Sequence, residues 1–192
     1  MKDLPLSELC ERLASADPTP GGGTASAVAG ALAAALVAMV ARTTIGKKKF
    51  ADRQAAMEAI RDEADKLRGD LLAQAEADAR AFDAVLAAYR LPKASPAEEA
   101  RRAAAVQEAT RGAIAAPLAV CRMARRVLEL ARRVGAEGNP NAASDAGVAG
   151  LLAAAAARGA LLNVRINLPQ LADAGERERT EAQAAALEAD LR

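Results

Sequence analysis

The sequence predicts an all-α protein, a single-domain helical bundle of about five to six helices spanning residues 1–192. Hydrophobic residues make up 52% of the chain, mostly as alanine, whereas aromatic residues make up only 2%. Small side chains let helices pack closely, while strands favour the β-branched and aromatic residues that this composition lacks. Apolar residues also recur at helical spacing, and we find no internal repeat or linker.

A turn rich in proline and glycine separates the first two predicted helices. An amphipathic helix is predicted over Leu4–Ala14. Residues 17–23 (DPTPGGG) hold two prolines and three glycines, which must end that helix. Thr24 is predicted to cap the next one.

The second helix is predicted over Ala25–Thr44, and its apolar character suits the centre of a bundle. The stretch Gly21–Ala41 carries no charge, which also raises a membrane span as an alternative. Alanine and glycine insert weakly into a bilayer, so we favour the bundle and expect no membrane partner. Gly46 is typical of the residue just past a helix end.

Two long helices should follow. The first spans Asp52–Tyr89, where one apolar stripe runs at steps of three or four residues. Ser95, a proline and Glu98 form a capping box that begins the next helix, predicted to end near Val134. Pro117 inside it should kink the helix or leave a backbone carbonyl unpaired.

The carboxyl-terminal third predicts two more helices. The turn GAEGNPN precedes an alanine-rich helix that Ser144 or Asp145 would cap and that Pro169 would end. A charged amphipathic helix then closes the chain.

Composition excludes several functional classes. The net charge is +1, which gives no case for nucleic acid. The chain has no histidine, so Ser-His triads and His-ligated metals are excluded, and we expect no metal site. Two distant cysteines, Cys10 and Cys121, and no recognisable signal peptide predict a reducing, cytoplasmic location.

The glycine turn is the first candidate site. Gly21, Gly22 and Gly23 with Thr24 precede a helix, where free N–H groups meet the positive end of the helix dipole. Such a turn can bind an anion or a carbonyl, although it can equally be structural. No Walker lysine follows and no strand precedes it.

Asp78 is the most informative single residue. It falls inside the apolar stripe of its predicted helix, where a carboxylate is costly unless it is paired or faces a cavity. One interpretation is a buried salt bridge with an arginine. The other is a functional carboxylate with a shifted pKa.

Three further polar groups have both structural and functional interpretations. Lys47, Lys48 and Lys49 would complement a helix end or bind a ligand carboxylate or phosphate. Asn163 and Asn167 lie one turn apart in an apolar run. Their side-chain amides would hydrogen-bond either to neighbouring protein groups or to a bound heterocycle. Asp145 belongs to a polar turn that capping partly explains.

An ordered set of strings resembles the cyclodeaminase/cyclohydrolase family over roughly Leu4 to Leu171. This family includes the cyclodeaminase domain of formiminotransferase-cyclodeaminase and stand-alone methenyltetrahydrofolate cyclohydrolases. The strings are PTPGGGTASAVAGALAAALVAMV, TIGKKKF, DARAFDAV, YRLPK, APLAVCRMARRVLELA, GNPNAASDAGVA and NVRINL. Thr24 stands where serine is commoner, and the last helix is short for the family.

The resemblance implies an all-helical homodimer that binds a folate near the glycine turn. Asp78 would be the general acid/base and Asp145 a second carboxylate. The implied substrate-binding residues are Gly21, Gly22, Gly23 and Thr24 at the pterin or the reacting bridge, Lys47, Lys48 and Lys49 at the anionic glutamate tail, and Asn163 and Asn167 at the pterin edge.

The implied reaction is hydrolysis of the N5,N10-methenyl bridge to 10-formyltetrahydrofolate, with no cofactor beyond the tetrahydrofolate substrate. The alternative enzyme is formimidoyltetrahydrofolate cyclodeaminase, which releases ammonia as it forms that bridge. One tuned carboxylate would serve either reaction. A non-enzymatic helical dimer or folate-binding module is the third alternative.

Overall fold

The structure, a computed structural model, describes residues 3–191. This part of the chain is all helical and contains no β-strand. The helices are α1 (Leu6–Leu13), α2 (Gly22–Thr44), α3 (Gln54–Tyr89), α4 (Pro96–Glu137), α5 (Ala143–Asn167) and α6 (Ala174–Ala189). Short 3₁₀ turns at Lys48–Arg53, Pro140–Ala142 and Leu168–Gln170 join them. The predicted all-α class is confirmed.

Helices α2 to α5 form the bundle. Each packs against the next along the chain or across it: α2 on α3, α3 on α4, α4 on α5, and α5 back on α2. Helix α2 buries 13 of its 23 residues, with small residues such as Ala27, Ala34 and Ala41 fully buried. Small side chains therefore set the close approach of the four helices.

Two of the predicted helix ends are confirmed. Ser95 accepts a hydrogen bond from the Glu98 backbone, and Glu98 returns one to the Ser95 backbone, completing the capping box of α4. Helix α2 ends at Thr44, and Gly46 follows with a φ of 78°. Only glycine adopts that left-handed conformation without strain.

Two predicted caps are wrong. Thr24 lies inside the first turn of α2, which begins at Gly22 with Gly21 as its N-cap residue. Ser144 and Asp145 likewise lie inside α5, whose N-cap residue is Ala142. A local sequence pattern cannot show that Thr24 turns its hydroxyl toward another helix instead.

The structure orients α2 and α5 in opposite directions. The first turn of α2 contacts the last turns of α5, where an added Cβ on Gly22 would lie 3.5 Å from Asn163 Nδ2. At the other end, the Asn139 backbone donates a 2.9 Å hydrogen bond to Thr44 Oγ1. We call these two ends of the bundle the glycine end and the lysine end, after Gly21–Gly23 and Lys47–Lys49.

Helix α6 covers the outside of α5 through charged pairs. Arg165 of α5 binds Glu181 at 3.2 Å and Glu188 at 2.7 Å. Arg125 of α4 binds Asp190, just past the end of α6, at 2.8 Å. These partly exposed pairs set the orientation of the closing helix more than its stability.

Two apolar segments are long enough to cross a membrane, namely α2 and the stretch 140–170. In α2, 61% of the most apolar window is buried inside the protein, as expected for a core helix. In the 140–170 stretch only 39% is buried. Helix α5 therefore keeps an apolar face that the described part of the chain, residues 3–191, does not cover.

Candidate functional site

Asp78 lies against the glycine turn of the same chain. A Cβ added to Gly23 would overlap the Asp78 carboxylate, lying 2.5 Å from its Cγ, whereas ordinary contacts are 3.4–4 Å. The absent side chain of Gly23 therefore creates the space that Asp78 occupies. Close approach of two elements is the physical requirement for glycine here.

The carboxylate of Asp78 caps helix α2 from outside the helix. Thr24 Oγ1 donates to Asp78 Oδ2 at 3.2 Å, and the backbone N–H of Thr24 also hydrogen-bonds the carboxylate. The first N–H groups of a helix lack partners within it and carry partial positive charge. Asp78 thus supplies, from α3, the acceptor that Gly21 cannot.

Burial nonetheless raises the pKa of Asp78 above its ordinary value of 3.8. Loss of solvation is the largest cause, and it outweighs the hydrogen bonds from Thr24, which lower the pKa. Within residues 3–191, no arginine or lysine forms an ion pair with Asp78. The functional interpretation of this residue is therefore favoured over a buried salt bridge.

Asn163 and Asn167 approach the same turn from α5. The side-chain N–H₂ of Asn163 donates to Gly159 O at 2.9 Å, and that of Asn167 donates to Asn163 O at 2.9 Å. Asn167 also donates to Ala113 O of α4 at 3.3 Å. With their N–H₂ groups held by backbone carbonyls, both side chains keep their Oδ1 atoms as hydrogen-bond acceptors.

These groups line one cavity of about 260 Å³ at the glycine end. Its lining residues are Pro18, Thr19, Gly21, Gly22, Gly23, Asp78, Phe82, Ala113, Asn163, Ile166, Asn167 and Gln170. The sequence analysis named six of the twelve, which come from three separate segments of the chain.

The sequence analysis missed Phe82 and Ile166 as cavity residues. Phe82 lies one helical turn after Asp78, and Ile166 lies between the two asparagines. The i, i+4 spacing from Asp78 was the available signal for Phe82. Both side chains remain exposed, at 38% and 72% respectively, although both are apolar. Phe82 and Ile166 therefore form an exposed apolar surface beside the carboxylate of Asp78.

Thr24 is next to the cavity but does not line it. Its side chain is fully buried, with the hydroxyl shared between Asp78 and the carbonyl of Ala75, 3.4 Å away. Thr24 thus acts on Asp78 rather than on a ligand. It is a positioning residue in this geometry.

The structure places Lys47, Lys48, Lys49 and Asp145 at the lysine end of the same chain. Asp145 precedes Asn163 by eighteen residues of α5, a separation of about 27 Å at 1.5 Å per residue. Helix α2 similarly separates the lysines from the glycine turn by about 35 Å. Within one chain these residues do not share the Asp78 cavity.

Comparison with known proteins identifies the family. The family profile described as Formiminotransferase-cyclodeaminase matches residues 5–186. The chain belongs to this family. The resemblance found in the sequence strings is thereby confirmed.

Relatives within the formiminotransferase-cyclodeaminase family have two architectures. A protein of Methylorubrum extorquens named methenyltetrahydrofolate cyclohydrolase is 47% identical over 168 residues, which cover 88% of this chain and 81% of that protein. The formimidoyltransferase-cyclodeaminase of Sus scrofa is 35% identical over 169 residues, 88% of this chain but 31% of that protein. This chain therefore spans about a third of the bifunctional relatives.

A solved structure of the family has the same fold. The crystal structure of formiminotetrahydrofolate cyclodeaminase from Thermotoga maritima superposes with a TM-score of 0.89 at 33% identity. The match covers 99% of this chain and 91% of that chain. The helical bundle is thus the shared architecture of the family.

Proposed function

We propose that this chain is a methenyltetrahydrofolate cyclohydrolase, which hydrolyses the N5,N10-methenyl bridge to 10-formyltetrahydrofolate. The observation that carries the proposal is Asp78, a carboxylate with a raised pKa in a cavity of mixed polar and apolar lining beside a glycine turn. The 47% identical relative named as this enzyme supports the choice, since the match spans most of both chains.

Charge explains why such a cavity suits this substrate. The methenyl bridge is cationic, and the carboxylate of Asp78 has no cationic partner among the described residues. A bound cation stabilises the ionised carboxylate that burial disfavours, and the carboxylate stabilises the cation in return. Binding therefore draws Asp78 into its basic form at the moment a base is needed.

The hydrolysis balances with one carboxylate. Water adds through its oxygen to the bridge carbon while Asp78 removes one of the water protons. The bond from that carbon to N5 then breaks, Asp78 delivers the proton to N5, and the formyl group stays on N10. The second water proton leaves to solvent, so a cation and water give a neutral product and one proton.

The remaining cavity groups would orient the ligand. The backbone of Gly21–Gly23 would lie beside the reacting bridge, and a Cβ at Gly23 would displace the Asp78 carboxylate from it. The Oδ1 atoms of Asn163 and Asn167 would accept hydrogen bonds from N–H groups at the pterin edge. A cavity of about 260 Å³ holds a ring system but not a whole folate, so the glutamate tail would extend outside it.

The second candidate is formimidoyltetrahydrofolate cyclodeaminase, favoured by the solved relative that carries that name. In that reaction N10 attacks the formimidoyl carbon while its proton passes to the imine nitrogen. The acid form of Asp78 would then protonate the resulting amino group, whose bond to the carbon breaks so that ammonia leaves and the methenyl cation forms. Both reactions use the same carboxylate, so geometry alone favours neither. A scaffold or simple folate-binding module would catalyse neither of them.

The experiment is an assay of the purified chain with each substrate. We expect loss of the methenyl absorption with methenyltetrahydrofolate and no ammonia from formimidoyltetrahydrofolate. Ammonia release would instead establish the cyclodeaminase. Absence of both activities in a folded protein, with or without folate binding, would contradict an enzymatic role.

Phe82 is expected to stack on an aromatic part of the ligand, because it is the aromatic residue that lines the cavity. Aromatic pairs contribute about 0.5–1.5 kcal/mol beyond their buried area, or roughly threefold to tenfold in binding. Phe82→Leu keeps an apolar side chain, so we expect KM to rise by about that factor with kcat little changed. Tyr89→Leu, on the same helix but outside the cavity, is the matched control.

Three further features belong to this proposal. The enzyme would act as a homodimer, and it would need no cofactor beyond the tetrahydrofolate substrate. The free thiols of Cys10 and Cys121 support a reducing, cytoplasmic location. Among residues 3–191, no cluster of three or more acidic or sulfur ligands capable of holding a metal ion is found.

A further inference from the structure

A second cavity lies beside the first, between the end of α3 and the beginning of α4. Its volume is about 410 Å³, and its lining includes Lys93, Arg102, Val106, Gln107 and Ala172. The proposed reaction at Asp78 uses none of these side chains. Because the first cavity is too small for a whole folate, the groups next to it decide where the rest of the ligand lies.

One face of α4 runs through both cavities. Ala113 lines the first cavity and Val106 lines the second. These residues are seven positions apart, which is two helical turns, so they share a face and lie about 10 Å apart along the axis. Helix α3 runs alongside, with Phe82 at the first cavity and its last turn at the second. A ligand that leaves the first cavity along α4 therefore reaches the second.

The segment after α5 borders both cavities and is held in place by one side chain. Gln107 of α4 donates through Nε2 to the Gln170 carbonyl at 3.0 Å and accepts a 2.8 Å bond from the Ala172 backbone at Oε1. Gln170 lines the first cavity and Ala172 lines the second. The two cavities thus share this pinned segment as a common wall.

Two cationic side chains of the second cavity have no anionic partner. Neither Lys93 nor Arg102 forms an ion pair within the part of the chain that the structure describes. Arg102 Nε donates to the backbone carbonyl of Tyr89 at 3.1 Å, which holds the guanidinium in place. That acceptor is a backbone atom, so Tyr89→Leu retains the bond and remains a control for Phe82. Both Nη atoms of Arg102 stay available as a fork that matches a carboxylate.

The second cavity also contains an opposing charge. Glu99 lines it together with Lys93 and Arg102, so two cations and one carboxylate leave a net charge of +1. Glu99 is exposed and likewise forms no ion pair among residues 3–191. An anionic ligand is therefore favoured here, and the Glu99 carboxylate should weaken its binding.

We propose that the second cavity binds the glutamate end of the folate, with Arg102 as the partner of a carboxylate and Lys93 as the second cation. Ordinary bond lengths place the glutamate Cα about 8 Å from N10 across the benzoyl ring and its amide, which is close to the spacing of the two cavities. This assignment rests on the proposed function, because it requires the bridge to lie at Asp78. It replaces Lys47–Lys49, at the far end of the chain's bundle, as the site of the tail.

Binding of two ligands that differ only in the tail tests the assignment. Tetrahydropteroate lacks the glutamate of tetrahydrofolate, and the ratio of their Kd values, measured by calorimetry, isolates the contribution of the tail. We expect Arg102→Gln to lower this ratio by about threefold to tenfold, as for a partly exposed bidentate pair. Arg101→Gln, at the neighbouring exposed position outside the cavity, should leave the ratio unchanged. An unchanged ratio in Arg102→Gln, or equal losses in both variants, would overturn the tail site.

Removal of the opposing carboxylate should have the opposite sign. Glu99→Gln should tighten tetrahydrofolate binding by about twofold to threefold and leave tetrahydropteroate binding unchanged. Structural damage would instead weaken both ligands. The gain should shrink as salt is raised, because the charges involved are exposed. Weaker or unaltered binding of tetrahydrofolate would contradict the charge argument.

Protection of an introduced thiol locates the tail. Ala103 lines the second cavity, so alkylation of Ala103→Cys by iodoacetamide, in a Cys10→Ser background, should be slowed by tetrahydrofolate but not by tetrahydropteroate. The remaining Cys121 is buried. Ala100→Cys, exposed on α4 outside the cavity, is the control and should not be protected. Equal protection by the two ligands, or none by either, would remove the tail from this cavity.

Catalytic assays separate this assignment from the proposed reaction. With methenyltetrahydrofolate, Arg102→Gln should raise KM by the same threefold to tenfold, with kcat unchanged. Tail-dependent binding in a chain that catalyses nothing would defeat the reaction and keep the tail site. A tail preference that is lost in Lys48→Gln and kept in Arg102→Gln would place the tail at the lysine end instead. Absence of any binding to tetrahydrofolate would overturn both.

Discussion

Asp78→Asn is expected to lower kcat by about 10²–10⁴, the contribution typical of general acid–base catalysis. Asparagine keeps the size of the side chain and can still accept the Thr24 hydrogen bond, but it cannot take a proton from water. The loss should therefore appear mainly in kcat, with a smaller rise in KM because the attraction between the carboxylate and the cationic bridge is also lost. Asp83→Asn, at an exposed position on the same helix, is the matched control.

The same variant should be at least as stable as the wild type at pH 7. The pKa of Asp78 is raised in the folded protein, so folding is opposed once this group ionises, at pH values above its folded pKa. That penalty is absent below about pH 3.8, where Asp78 is protonated in both the folded and the unfolded protein. The melting-temperature difference between variant and wild type should accordingly vanish in acid.

The pH profile separates a catalytic base from a structural acid. Activity of the wild type should fall as pH drops through the pKa of Asp78. The midpoint of this acidic limb in the pH profile of kcat/KM should lie at a pH above 3.8, the ordinary pKa of an aspartate. The residual activity of Asp78→Asn should lack this limb. Retention of the limb, or of wild-type kcat, would show that another group transfers the proton.

Gly23→Ala should damage both folding and activity. An alanine in a helix normally gains about 0.5–1 kcal/mol over glycine. Here the new methyl group overlaps the Asp78 carboxylate, and overpacking costs about 1–3 kcal/mol. We expect the overpacking cost to exceed the gain in helix preference. Displacement of the carboxylate should also lower kcat on the order of 10²-fold, the loss typical of about 1 Å of misplacement.

Gly69→Ala is the control for that substitution. Gly69 lies within α3, and an added Cβ meets nothing within 4 Å. Without a clash only the helix preference acts, so thermal unfolding should show a gain of about 0.5–1 kcal/mol and activity should be unchanged. If Gly23→Ala behaved like this control, Asp78 would not pack against the glycine turn.

The site could be predicted from sequence where periodicity carried the information. Asp78 stood out because a carboxylate interrupted an apolar helical stripe, and Asn163 and Asn167 because amides recurred after one turn. Such patterns show which side of a helix faces the interior. They cannot show which helix lies opposite, so the contact of Asp78 with Gly23 required the structure.

Where the prediction of local structure failed, a tertiary contact replaced a local one. Threonine is among the residues preferred at an N-cap. In the structure, however, the Thr24 hydroxyl donates its hydrogen bond to Asp78 of α3 and does not cap its own helix. Asp145 was grouped with Asp78 through family resemblance. Sequence carries no distance between them, and the bundle separates them by the length of α5.

Because the cap of α2 comes from α3, the first turn of α2 has no acceptor of its own in a chain whose helices have not yet assembled. The group proposed to transfer protons is thus the group that completes this helix. The environment that raises the pKa of Asp78 therefore forms when α2 packs against α3, and not before. In a partly assembled bundle Asp78 would be solvated, and the protein would not catalyse the proposed reaction.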